Sequence, residues 1–203
     1  MNTLEICPQH IFEFTAKETL RQKVQTLIEA EQYEVNHVNW VTVHKNLAEK
    51  PEYKELTEWF KCCVEQVRQI YEYKCDGLKI SQMWANKSES DNWHHIHNHP
   101  FSIISAIFYV TDSPAETWFS VENFWVANYG KHPLPLTEDF TKCPHIIHKQ
   151  QSVKGKLILF PSHLLHSVSE HKGEKPRYTI SFNTFPTGIV GDLNKLGGVV
   201  LPR

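Results

Sequence analysis

The sequence predicts an antiparallel β sandwich or small barrel braced by helices at its N-terminal end. Two patterns along the chain carry that reading. The first third repeats apolar residues every three to four positions, the period of a helix. From Leu78 onward short runs alternate apolar and polar residues, with turn residues between them. A long irregular stretch, 111–144, interrupts the second part and carries Pro114, Pro133, Pro135 and Pro144.

Taken in order, residues 17–31 place Leu20, Val24, Leu27 and Ile28 at helical spacing. A stronger pattern runs over 51–74, where Leu56, Trp59, Phe60, Cys63, Val64, Val67, Ile70 and Tyr71 form one apolar stripe. Pro51 suits the first turn of that helix, since its missing N–H would have no partner there anyway. The stripe predicts a helix packed on a sheet. Strands are expected over 78–86, 93–99, 102–110, 117–121, 146–150, 156–160, 164–168 and 177–184. The irregular stretch holds Trp118, Phe119, Phe124, Trp125, Tyr129 and Phe140, and aromatic loops on a rigid β scaffold tend to serve function. The tail, with Gly188, Gly191, Gly197 and Gly198, reads as loosely structured. The whole is one domain, 1–203, with a helical part over 1–77, a β part over 78–185 and a tail over 186–203.

The chain has 203 residues, 40% of them hydrophobic and 22% charged, with 21 basic residues against 23 acidic ones. That balance suits a folded globule and argues against disorder. A net charge of −2 removes the main electrostatic argument for a nucleic-acid partner, whose binding would rest on neutralised phosphates. No apolar run is long enough to suggest a membrane span. The opening residues lack a basic end followed by an apolar stretch, so the expected location is the cytoplasm. Five cysteines without a C-x-x-C spacing read as reduced, mostly packed thiols. The sequence carries no signal for oligomeric state.

Thirteen histidines are many for this length, and ten of them lie between His94 and His171. The run from Asp91 to Pro100 reads D-N-W-H-H-I-H-N-H-P. Alternate side chains of a strand share a face, so His95, His97 and His99 are expected on one side and His94, Ile96 and Asn98 on the other. Three imidazoles on one face would each need a polar partner in a core, so metal ligation is the better account. Pro100 ends the strand and favours His97 with His99 as the pair. His95 stands in reserve, and Asp91 is a more distant alternative if the strand bends. A third ligand must come from elsewhere. In Phe160-Pro161-Ser162-His163-Leu164-Leu165-His166, His163 falls at the turn, whereas His166 shares an apolar face with Leu164 and Val168. Eleven residues on, Arg177 and Thr179 sit two apart on a strand, where a guanidinium and a hydroxyl can clasp a carboxylate.

The order His-x-His-Pro, then Phe-Pro-Ser-x-Leu-x-His, then Arg-x-Thr resembles the iron(II)- and 2-oxoglutarate-dependent oxygenases. The resemblance is closest to small bacterial and phage members with an H-x-H-P motif, and it spans about 78–185. It implies a double-stranded β-helix, a jelly-roll or cupin-like barrel, with N-terminal helices. It further implies an oxidoreductase using Fe(II), 2-oxoglutarate and O2, hydroxylating a small-molecule or peptide substrate with release of succinate and CO2. Carried over residue by residue, His97, His99 and His166 match the metal positions. Arg177 and Thr179 match the clasp for the far carboxylate of 2-oxoglutarate, with Tyr109 as a pocket-lining hydroxyl and Asn86 within reach of the cosubstrate. One position departs from the wider pattern: His99 stands where most relatives have a carboxylate. Three-histidine sites also belong to cupin-type dioxygenases that use no 2-oxoglutarate, and a metal-binding module without activity is a third alternative.

Overall fold

The computed structural model describes residues 9–120, 146–195 and 197–202. Among them run twelve strands and two α-helices, and every strand pairing is antiparallel.

The larger sheet has the order β1 (Phe12–Thr15), β9 (Lys156–Pro161), β6 (Ile104–Tyr109), β11 (Arg177–Val190), β4 (Gly77–Ser88), β3 (Asn39–Thr42) and β2 (Tyr33–Asn36). A short β12 (Val199–Leu201) adds to the far end of β11. The smaller sheet has the order β5 (His94–His97), β10 (Leu165–Val168), β7 (Ser113–Ser120) and β8 (Ile146–Ser152). From β4 to β11 the chain passes repeatedly from one sheet to the other. The inner strands of each sheet are therefore far apart in sequence, which is the jelly-roll form of the double-stranded β-helix.

The large sheet is covered on both faces. Helices α1 (Glu18–Glu29) and α2 (Lys54–Ile70) lie against its outer face. There the apolar stripe of α2 meets Met83 and Ala85 of β4, Ile104, Ala106 and Phe108 of β6, and Ile180 and Phe182 of β11. Phe60 is at the centre, 4.7 Å from Phe182 and 5.6 Å from Phe108 between ring centroids. The alternate residues of the same strands, Ile107, Tyr109, Ile158 and Phe160, point inward to a second cluster with Phe119 and Leu164. All six residues of β6 are buried, as a strand covered on both sides requires.

All eight strands expected from residue 78 onward are present. The first third departs from a purely helical reading, because β1, β2 and β3 lie around the two helices and extend the large sheet. These strands are four residues each. The β2–β3 turn is His37-Val38, without the Asn-Gly or Gly-Gly pair that marks a tight hairpin, although His37 adopts a positive φ of 56°. The tail is also more ordered than its glycines suggest. Val199–Leu201 pairs with residues 188–190, and Gly191, at φ 78°, makes the return turn. Residues 121–145 lie outside the described part, and with them most of the aromatic loop; Trp118 and Phe119 belong to β7.

Candidate metal and cosubstrate site

His97 and His166 stand directly opposite each other where β5 pairs with β10. Between that pair and the next one, Val168 with His94, β5 spends one residue more than β10. This bulge breaks the alternation expected of the histidine strand. His94, not His95, shares the pocket with His97, and their rings are 4.4 Å apart. His95 is exposed. His99 follows the strand end, where its N–H donates to the Ser162 carbonyl at 3.0 Å.

The rings of His97, His99 and His166 converge. Their centroids are 4.3, 5.1 and 5.1 Å apart, and one nitrogen of each lies within 4.8 Å of the others. Two rings are oriented by backbone. His97 Nδ1 lies 2.9 Å from the His95 carbonyl and His166 Nδ1 3.0 Å from the Leu164 carbonyl. A carbonyl only accepts, so each Nδ1 carries the proton and each Nε2 presents its lone pair. This is how metal-binding imidazoles are held. His171 is the instructive contrast. It is as buried as His166, but it donates from Nε2 to the Lys175 carbonyl and accepts at Nδ1 from Ser113 Oγ. Both of its nitrogens are used internally.

Burial also keeps the rings neutral. His166, 2% exposed, is pushed down to about 3, first by burial and then by His97. His99 is pushed down to about 4 for the same two reasons, and burial lowers His97. Neutral imidazole is the form that binds a metal. A second trio, His94, His95 and His97, also brings one nitrogen each within 4.8 Å. It shares His97, whose Nδ1 is already engaged. Asp91, the distant alternative, is exposed and paired with Lys172 at 2.9 Å.

The same pocket, about 270 Å³ in volume, is lined by Arg177 and Thr179. Arg177 is 3% exposed, and its Nε donates to Ser152 Oγ at 3.2 Å. Ser152 in turn donates to the Ala115 carbonyl at 2.6 Å. No carboxylate among the described residues pairs with this guanidinium, and burial lowers its pKa. A buried cation without a counter-ion is costly, and an anionic ligand would offset that cost. Tyr109 is placed differently from expectation. It is fully buried behind Arg177, whose guanidinium carbon lies 5.7 Å from its ring centre, and its hydroxyl hydrogen-bonds with Thr117 at 2.9 Å. It supports the pocket from behind and does not line it. Burial pushes its phenol up to about 12, so it stays neutral. Asn86 does line the pocket, next to Thr179 across the β4–β11 pair, and donates to Ser181 Oγ at 3.3 Å.

A family profile described as "Putative 2OG-Fe(II) oxygenase" matches residues 82–183, half of the chain, from β4 to β11. The chain belongs to this family. It is thus an oxidoreductase of the class that uses Fe(II), 2-oxoglutarate and O2. No curated protein matches it. Among solved structures this oxygenase is similar to HygX from Streptomyces hygroscopicus with nickel and 2-oxoglutarate bound, at 11% identity and a TM-score of 0.67, covering 96% of this chain and 92% of that one. It is also similar to a 2OG-Fe(II) oxygenase-family oxidoreductase from Burkholderia pseudomallei, at 11% identity, a TM-score of 0.61, and coverage of 86% and 84%. A Pseudomonas putida prolyl-4-hydroxylase gives 9% identity, a TM-score of 0.61, and coverage of 89% and 94%. At such identities the likeness is one of fold.

Within the described residues, sequence reasoning missed two parts of the oxygenase's pocket. His94 was expected on the opposite face, and only the bulge turns it inward. Asn36 and Asn39 lie on the unforeseen β2–β3 hairpin and also line the pocket.

Proposed function

We propose that His97, His99 and His166 hold the iron of this oxygenase, that Arg177 with Thr179 clasps the far carboxylate of 2-oxoglutarate, and that the reaction is hydroxylation of a substrate C–H bond. One observation carries the reading: three neutral imidazoles, two of them oriented by backbone carbonyls, converge in a pocket that also contains a buried guanidinium with no counter-ion among the described residues. The residues fit the groups. A triad of neutral nitrogen donors suits a divalent transition metal, and the fork of Arg177 suits a planar carboxylate.

When bound, iron and 2-oxoglutarate together supply the oxidising equivalents from O2, with succinate and CO2 as co-products. The protein's own contribution is placement. The Leu164 and His95 carbonyls fix the tautomers of His166 and His97. Ser152 and the Tyr109 ring fix Arg177 at the pocket's base. Ile107, Trp84 and Val168 give the pocket apolar wall that limits water beside the reacting atoms. With His99 in place of a carboxylate, the protein ligands bring no negative charge, which favours a dianionic cosubstrate over a neutral one.

The test is oxygen uptake by iron-loaded protein with and without 2-oxoglutarate, coupled to succinate release. Uptake that depends on 2-oxoglutarate supports the reading; uptake indifferent to it favours the cupin-type alternative. His99→Ala should weaken metal binding by about a hundredfold, measured by calorimetry under argon. Undiminished binding would remove His99 from the ligand set.

A further inference from the structure

The pocket has a second polar side that the metal and cosubstrate leave unused. In the large sheet Asn36 of β2 pairs with Asn39 of β3, and Ser88 of β4 pairs with Arg177 of β11. The β3–β4 register, carried one residue beyond Trp40 with Lys87, sets Asn39 beside Ser88. Asn36, Asn39, Ser88 and Arg177 thus form one polar row across four strands, and all four line the pocket.

The row divides in two. Arg177 leans toward β6 and β8, where it meets Tyr109 and Ser152. Asn39 is two strands away on the opposite side, about 10 Å between backbones at the usual strand spacing. A carboxylate held by Arg177 therefore leaves the asparagine end of the row free. The asparagines are also held in place: the hairpin tip docks on the histidine strand, with the rings of His37 and His95 T-shaped at 5.6 Å.

Asn39 is the telling residue. It is 5% exposed, and its Oδ1 is buried without a hydrogen-bond partner among the described residues. A buried acceptor left unsatisfied costs stability, and a chain that only had to fold would do better with an apolar side chain there. Among the described residues the pocket lining contains no carboxylate, and its one permanent charge is Arg177. A cationic substrate would find no counter-charge, and a second anion would compete with the cosubstrate for Arg177.

We infer that Asn39, with Asn36 beside it, forms the substrate subsite, and that it receives a neutral hydrogen-bond donor of the substrate, a hydroxyl or an amide N–H. The inference rests on the oxygenase reading above and extends it to the class of substrate.

The experiment uses full-length protein loaded with zinc(II) and 2-oxoglutarate, which cannot turn over, and reads binding of small probes by ligand-observed NMR. The neutral probes are myo-inositol for hydroxyls and N-acetylglycinamide for amides; ethanolammonium is the cationic control. Wild type should bind at least one neutral probe in preference to the cation, and which one it binds assigns the donor. Asn39→Leu should weaken that probe by about tenfold, keep the affinity for 2-oxoglutarate, and melt at or above the wild-type temperature. Asn39→Asp retains the acceptor and adds a charge, so it should turn preference toward ethanolammonium. Absence of binding by both neutral probes would overturn the inference, as would a loss of 2-oxoglutarate affinity in Asn39→Leu equal to that in Arg177→Ala. If Asn39→Leu fails to fold, Asn39→Asp decides: an unchanged probe preference overturns the inference. Wild type that binds neither zinc nor 2-oxoglutarate would sink the oxygenase site itself, whereas cosubstrate binding without probe binding sinks only the subsite.

Discussion

The two faces of the large sheet are built from alternate residues of the same strands, yet they obey different rules. On the outer face Phe108, Ile180 and Phe182 pack under α2 beside Met83 and Ala85, all apolar and all buried. On the inner face the intervening positions are Arg177, Thr179, Ser181, Asn86 and Ser88, polar groups that look into a cavity and a cation with no counter-ion among the described residues. The outer face is where the chain gains stability, through burial of apolar surface. The inner face gives some of it up, as functional sites commonly do. Perturbations should therefore separate cleanly: outer-face changes should move stability and leave ligand affinity alone, and inner-face changes should do the reverse.

The largest effect expected breaks that rule instructively, because the histidines that face the same pocket from β5, β10 and the turn after β5 couple stability to pH. In the unfolded chain these rings titrate near the ordinary value of 6.5; folded, burial pushes His94 and His99 down to about 4 and His166 to about 3. Between these values the unfolded chain binds more protons, so stability falls as pH falls through the window from 6.5 toward 4. At about 1.4 kcal/mol per unit for each ring, the metal-free protein should lose on the order of 5 kcal/mol between about pH 7 and pH 5, measured by denaturant titration. A flat profile would mean that the rings are solvated in the folded state. On the outer face, Phe60→Ala should cost about 4 kcal/mol by the cavity it leaves, read from the melting temperature, with 2-oxoglutarate affinity of the folded protein unchanged.

That same division explains how much could be read from the sequence. The outer face was legible because packing imposes a period: the α2 stripe and the alternation of β6 and β11 each follow from burying one side. The converging histidine triad was legible for a different reason. His97 and His99 beside Pro100, and His166 in an apolar row, are residues that packing alone does not call for. What the residues did not disclose depends on backbone detail. The bulge that exchanges His94 for His95 adds one residue to β5 and has no glycine to announce it. The β2–β3 hairpin turns on His37-Val38, so Asn36 and Asn39 looked like connecting polar residues. Tyr109 shares a face with Ile107 as alternation requires, but whether a residue on that face reaches the cavity or sits behind Arg177 is decided by the opposite sheet.

Two smaller effects sharpen the comparison at Arg177, one on the inner face and one from the sheet opposite it. Arg177→Ala should weaken 2-oxoglutarate by about a hundredfold, since a charge-assisted contact in a buried site is worth about 2–3 kcal/mol. Metal affinity should hold, and the melting temperature should not fall, because the variant removes a buried charge that no carboxylate among the described residues pairs with. A drop in stability comparable to that of Phe60→Ala would show that Arg177 serves the core, and the contrast between the faces would fail at its most charged residue.

Ser152→Ala gives the smallest and most discriminating change. Ser152 reaches Arg177 from the opposite sheet and is itself anchored on the Ala115 carbonyl, so under the proposed function it would act on the cosubstrate only by holding the guanidinium in place. Removing its hydroxyl takes away one charge-assisted hydrogen bond from the Arg177 guanidinium, worth about 1.5 kcal/mol, and should raise the 2-oxoglutarate requirement about tenfold while the rate at saturation stays the same. Ser152→Thr, which keeps the hydroxyl, should recover most of the loss. If Ser152→Ala and Ser152→Thr behave alike, the Tyr109 ring alone is enough to aim Arg177. The inner face would then owe its order to packing after all, as the outer face does.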